Sequence, residues 1–228
     1  MDSRVGQTNL TIKFGSTDYE PANEAAAKLK EARKQIAQRY SELVAAENIL
    51  KEDATVSEPM RLVKLSKLAE NRSQWVYDRL HEARSIAHKQ LALHQSKIET
   101  LYQMPSSQNL EMRHRDMRQY LTRMPLNKRI EFVRDALLRK DEVILSAIVT
   151  APRELSEVLP LHYGEAKVAL AQIKAPADFN AINIIQEELE TLDDAERNFD
   201  SAVMDEFVTP GADLEKNQEL SNRLLADI

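Results

Sequence analysis

The chain has 228 residues and no cysteine. Disulfides, thiolate nucleophiles and cysteine-ligated zinc are therefore excluded. A reducing interior is consistent with this absence but is not required by it. Glycine is almost as scarce, occurring only at Gly6, Gly15, Gly164 and Gly211. Hairpin turns need positive φ, usually supplied by Gly or Asn, so a β fold is poorly provided for. The glycines are too far apart to cradle a phosphate ahead of a helix, which removes Walker-type and dinucleotide fingerprints. A G-x-S-x-G nucleophile elbow is missing as well. Aromatic residues make up 5% of the chain. No apolar run approaches the roughly 18 residues that a membrane-spanning helix requires. The first twenty residues lack a basic stretch followed by an apolar one, so no signal peptide is expected. The expected location is the cytoplasm, or a virion-like particle assembled there.

What the chain does contain is 43% hydrophobic and 30% charged residues, dominated by strong helix formers such as Ala, Leu, Glu, Gln, Lys and Arg. The expected class is all-α: a long antiparallel helical hairpin, a compact cluster of short helices, and a long C-terminal heptad helix. Residues 1–20 stand apart as an extended arm. There Leu10, Ile12 and Phe14 alternate with Thr11 and Lys13, a period-2 pattern suited to a partner's sheet edge or groove.

Pro21 suits the first turn of a helix. Leu29, Ile36, Leu43 and Leu50 then recur every seven residues, with Ala25, Ala32 and Ala46 beside them, as in a coiled-coil seam. Ser57 and Pro59 open a second helix. Its stripe runs from Leu65 through Leu80 and His94 to Leu101, with Arg72 the charged interruption, and it is expected to stop near Met104 because Pro105 follows. The hairpin spans 21–104.

Between 105 and 176, prolines punctuate short helices expected near 107–123, 126–139, 141–150, 153–158 and 162–174. An acidic helix over 177–209 places Ile182, Leu189 and Val203 on a second seam. Pro210-Gly211 is expected to end it, leaving 210–228 as a tail. These seams are most economically ordinary core; the alternative is that one of them is an oligomer or partner interface, which is favoured because a two-helix layer cannot cover both of its own apolar faces. The candidate partner interface is Leu10, Ile12, Phe14, Leu29, Ile36, Leu43, Leu50, Ile182, Leu189 and Val203.

Charge is segregated. Residues 112–140 hold nine Lys and Arg against three Asp and Glu, giving +6, whereas 187–228 hold thirteen acids against three bases, giving −10. Solvated faces, acidic-on-basic packing within or between copies, and a nucleic-acid grip through Arg113, Arg115, Arg118, Arg123, Lys128 and Arg129 all fit this pattern. Nucleic acid ranks lower, because Tyr120 and Phe132 are the only aromatics available there for stacking.

Glu111-x-x-His114 and Asp78-x-x-His81 have the spacing used by carboxylate di-iron bundles. Asp78 and His81 fall on the polar side of their helix, and Arg113 and Arg115 flank His114, so solvated faces are expected at both. His88 shares the polar side with His81. His94 falls on the apolar stripe as a core histidine, and His162 is expected in a surface loop. Glu187/Glu188 and Asp193/Asp194 are adjacent and point about 100° apart on a helix, which is no acid–base pair. No catalytic residue, metal ligand or cofactor is assigned. The expected function is a non-enzymatic structural or adaptor protein acting by helix packing. Its setting would be a homo-oligomer or multi-subunit assembly such as a phage-like virion. A nucleic-acid-associated factor and a metal-dependent helical-bundle enzyme are the alternatives.

Overall fold

The computed structural model describes residues 24–214 and 216. Seven α-helices run α1 (Glu24–Glu52), α2 (Glu58–Thr100), α3 (Gln108–Arg123), α4 (Leu126–Leu138), α5 (Glu142–Val149), α6 (Pro160–Lys174) and α7 (Pro176–Val203), and no strand occurs among the described residues. The chain is all-α. It divides into two compact units, one made of Met1–His88 with Ile185–Ile228 and the other of Lys89–Ile184. These borders cut α2 and α7 internally, whereas the prolines had suggested borders near 105 and 176.

In the first unit, α1, the first part of α2 and the last part of α7 form a three-helix bundle. Arg72 Nε lies 3.5 Å from Glu42, and Arg39 stacks 4.1 Å over the Trp75 ring, so α1 and α2 run antiparallel. Arg84 pairs with Asp193 and Glu196, and the Tyr77 hydroxyl donates to Asp200 at 2.8 Å, so α2 and α7 are antiparallel too. Lys30 and Arg33 meet Glu188 at 3.8 and 3.4 Å, and Tyr40 donates to Glu206 at 2.9 Å, which makes α1 and α7 parallel.

The third helix is what the hairpin reading lacked. Leu29, Ile36 and Leu43 of α1 are buried, as are Leu65, Val76 and Leu80 of α2 and Ile185, Leu192, Phe199 and Val203 of α7. Each such side chain contributes roughly 1.5–3 kcal/mol by leaving water. The interface expectation for Leu29, Ile36, Leu43 and Val203 is therefore corrected. These residues line the chain's own core because α7 returns to cover the hairpin. Leu50, Ile182 and Leu189 are half-buried. Leu10, Ile12 and Phe14 lie outside the described residues.

A second correction concerns Pro210-Gly211. The helix does not stop there. A π turn over Met204–Val208, with the Thr209 amide donating to the Met204 carbonyl, absorbs the lost proline donor, and residues 209–214 remain helical. Gly211 then sits so close to α2 that a Cβ there would lie 2.4 Å from Ser66 Cβ and 2.7 Å from the Leu62 carbonyl oxygen.

The second unit is centred on α5, whose Ile144, Leu145, Ala147, Ile148 and Val149 are all buried. The core around it takes Leu121 from α3, Val133 and Ala136 from α4, Val158 from the loop, and Ala166 and Leu170 from α6. Asp141 caps α5 by accepting from the Ile144 amide at 3.1 Å. Just before it, Lys140 takes a left-handed φ of 53°, and the Asp141 amide reaches the Ala136 carbonyl at 2.9 Å, a Schellman closure of α4. The helix expected at 153–158 is only a 3-10 turn, Arg153–Leu155. Glu157 at φ 51° reverses the chain before Pro160 opens α6.

Candidate protein-interaction surface

Four polar side chains that the sequence placed in water are buried in the second unit: His114, Arg118, Arg129 and His162. Helical spacing explains each. His114, Arg118 and Leu121 share one face of α3; Arg129, Val133 and Ala136 share one face of α4; and His162, Ala166 and Leu170 share one face of α6. The expectations of a solvated His114 and a surface-loop His162 are thus corrected. The helix end on which His162 sits is packed down at its first turn.

Arg118 donates to the Ala147 carbonyl at 3.0 Å. Arg129 donates from Nε to Leu121 O at 2.8 Å, from Nη2 to Thr122 O and Met124 O at 3.3 and 3.1 Å, and from Nη1 to Glu157 O at 2.9 Å. The last carbonyls of α3 have no partner within their own helix, and one guanidinium satisfies them together with the left-handed Glu157. These two arginines serve the fold. Neither is presented to a nucleic acid.

His114 Nδ1 lies 3.0 Å from Thr150 Oγ1, whose own proton goes to Ser146 O at 2.8 Å. The hydroxyl therefore accepts from Nδ1–H of His114. Burial first, and then the Arg118 charge, push its pKa below the usual histidine value. A group that resists protonation when folded stabilises the fold fully above its unfolded pKa, and that contribution declines as pH falls from there toward the folded pKa. Resistance to urea should thus be greater at about pH 7.5 than at about pH 5.5, on either side of the ordinary histidine value of about 6.5. His114→Gln should flatten that dependence. An unchanged pH profile in the variant would contradict the assignment.

The remaining histidines offer no site. His81 and His88 are exposed, as the sequence suggested. His94 is half-buried, with Nδ1 at 2.7 Å from Asp178 Oδ1, and Lys97 Nζ reaches the same oxygen at 3.1 Å. The His94 hydrogen bond, and then that of Lys97, hold Asp178 below the usual carboxylate range. Among the described residues, no group of three or more His, Asp and Glu is arranged to hold a metal ion.

The first unit has a depression of about 220 Å³ beside the π turn, lined by Glu70, Tyr77, Asp200 and Met204 among others. Burial, reinforced by Asp200, pushes the Tyr77 hydroxyl up to about 12, and burial likewise raises Asp200. Tyr40, beside Glu206, is also pushed up to about 12. Phenols this hard to ionise stay protonated near neutrality and act as hydrogen-bond donors, not as bases.

Exposed apolar surface is distributed unevenly. Of sixteen large hydrophobic side chains left exposed among the described residues, twelve lie in the Lys89–Ile184 unit. The most continuous group is the outer side of α6. Leu161 (68% exposed) and Val168 (48% exposed) stand one heptad apart, and Gly164 lies between them with nothing within 4 Å of where its Cβ would be. With Pro160, Ala169 and the polar Glu165 and Gln172 they line an open depression of about 490 Å³, and Leu155 and Leu159 are exposed just before it. A flat apolar stripe at helical spacing, with a glycine at its middle, lets a second helix approach closely. The sequence carried this signal in Leu161 and Val168, but a seven-residue spacing alone does not say which side of a helix is covered.

Of the residues proposed for nucleic acid, Arg113, Arg115, Arg123 and Lys128 are exposed, while Arg118 and Arg129 are not. No described helix is long and apolar enough to cross a membrane. The chain matches no family model, no curated protein and no solved structure.

Proposed function

We propose that the chain is a non-enzymatic structural or adaptor protein that works by helix packing, as a homo-oligomer or within a multi-subunit assembly of which a virion-like particle is one kind. The observation that carries this reading is the concentration of exposed apolar side chains in the α3–α6 unit, with the Leu161–Gly164–Val168 stripe at its clearest point. Leu29, Ile36, Leu43 and Val203 are buried in the chain's own core, which favours the second unit as the contact surface. Buried His114, Arg118 and Arg129 are occupied in holding backbone carbonyls or a hydroxyl, which supports a part in the fold.

Replacing Leu161 and Val168 together with glutamate tests it. Both are exposed, so helicity and melting should be unchanged. Two lost apolar contacts of roughly 1.5–3 kcal/mol each should weaken self-association, or capture of a co-purifying protein, at least tenfold. Association that persists undiminished in the double variant would remove α6 from the interface.

The second reading, a nucleic-acid-associated factor, rests on exposed Arg113, Arg115, Arg123 and Lys128. It requires retention of DNA or RNA that falls with salt and with neutralisation of those four.

A further inference from the structure

Charge is divided between the two units as sharply as apolar exposure. The Lys89–Ile184 unit has fourteen Lys and Arg against eleven Asp and Glu, a net of +3, and the bundle unit has seventeen against twenty-six, a net of −9. On α3 and α4, once buried Arg118 and Arg129 are set aside, Arg113, Arg115, Arg123, Lys128 and Arg134 are exposed and make no ion pair among the described residues. On α7 and the π turn that follows it, the outward stripe is Glu187, Glu190, Asp194, Ser201 and Asp205, all exposed, and only Arg197, paired with Asp194, offsets it. Other acids of the same helix are already matched, inward Glu188 by Lys30 and Arg33, and Glu196 with exposed Asp193 by Arg84. A helix whose inner carboxylates are neutralised while its outer ones are left open is built to present negative charge. Over 187–205 that stripe is about 27 Å long, close to the roughly 24 Å of α3.

We propose that the exposed basic surface of α3 and α4 docks against the acidic outer stripe of α7 in a second copy of this chain. This inference rests on the assembly reading above and names the partner for it. The two surfaces differ, so the contact is heterologous: each copy offers one of each kind, and chains or rings of copies follow. Nucleic acid is the competing polyanion for the basic surface. The bundle unit's net charge of −9 on the same molecule repels it and attracts another copy's cations.

The experiment is a charge swap read by sedimentation velocity on the full chain. One variant carries R113E, R115E and K128E; the other carries E187K, E190K and D194K. All six positions are exposed, and unchanged circular dichroism and melting confirm that both variants fold. The wild type should self-associate in about 20 mM salt and at least tenfold less tightly in about 300 mM, where screening is short-ranged. Each variant alone should be dispersed even at low salt. An equimolar mixture of the two should associate again, because every mixed contact pairs opposite charges. A variant that associates alone like the wild type overturns the proposal, as does a mixture that stays dispersed. Retention of nucleic acid by the wild type, lost in the first variant and with no self-association, also overturns it. If association is insensitive to salt and to both variants but is lost with the α6 substitutions, this docking mode fails and the assembly reading stands. If the wild type never associates and captures no partner, both fail.

Discussion

Arg129→Met should destabilise the fold by about 3 kcal/mol, one of the two largest effects expected of any single substitution described here. Four carbonyl oxygens converge on this buried guanidinium, those of Leu121, Thr122, Met124 and Glu157. Methionine fills much of the space but donates nothing. Leu121 O keeps the Met124 amide at 3.1 Å, so three acceptors are left without a donor at roughly 1–3 kcal/mol each, and partial rehydration keeps the total near the lower end of their sum. Glu157 provides the control. Its carboxylate is 2.9 Å from Arg129 but is itself largely exposed, so Glu157→Gln should cost less than about 1 kcal/mol. Urea unfolding of the two variants separates the cases. Equal effects would mean that the ion pair matters more than the carbonyl cluster. A loss below about 1 kcal/mol for Arg129→Met would contradict the capping role.

Gly211→Ala should act by crowding. The added carbon would meet Ser66 Cβ at 2.4 Å and the Leu62 carbonyl at 2.7 Å, and the second of these is backbone and cannot rotate away. Forcing one methyl into a packed contact of this kind costs about 1–3 kcal/mol. Part of the response should be local, because the segment follows the π turn, where the helix is already unwound by one residue. Hydrogen exchange should therefore quicken at 209–214 while α3–α6 keep their protection. An alanine variant with wild-type melting and unchanged exchange would mean that the close approach of this segment to α2 is not as described.

These two residues also mark what was legible in the sequence. Helix positions followed from periodicity and proline placement, and four of the seven helices, α3–α6, begin and end within about two residues of expectation, inside the usual ambiguity of helix ends. Faces were harder to assign. The spacing of Leu29, Ile36 and Leu43 shows that these side chains are covered, but local pattern cannot say whether the cover is α7 of the same chain or another molecule. Arg129 was read as surface because arginine is usually exposed. Yet it lies in register with Val133 and Ala136, four and seven residues on, and that register was the available signal. His114 carried a weaker one, since Leu121 is the only aliphatic partner on its face. Pro210-Gly211 misled because the pair normally ends a helix, and the π turn that accommodates it leaves no trace in residue type.

The account turns on whether the second unit's exposed apolar stripe and basic surface make contacts beyond the single chain. Sedimentation velocity of the wild-type chain at low salt, across a wide concentration range, addresses this most directly. The boundary should move faster as concentration rises, reporting species larger than one 26.0 kDa chain. A single boundary at that mass, at every concentration and with no co-purifying protein, would contradict it.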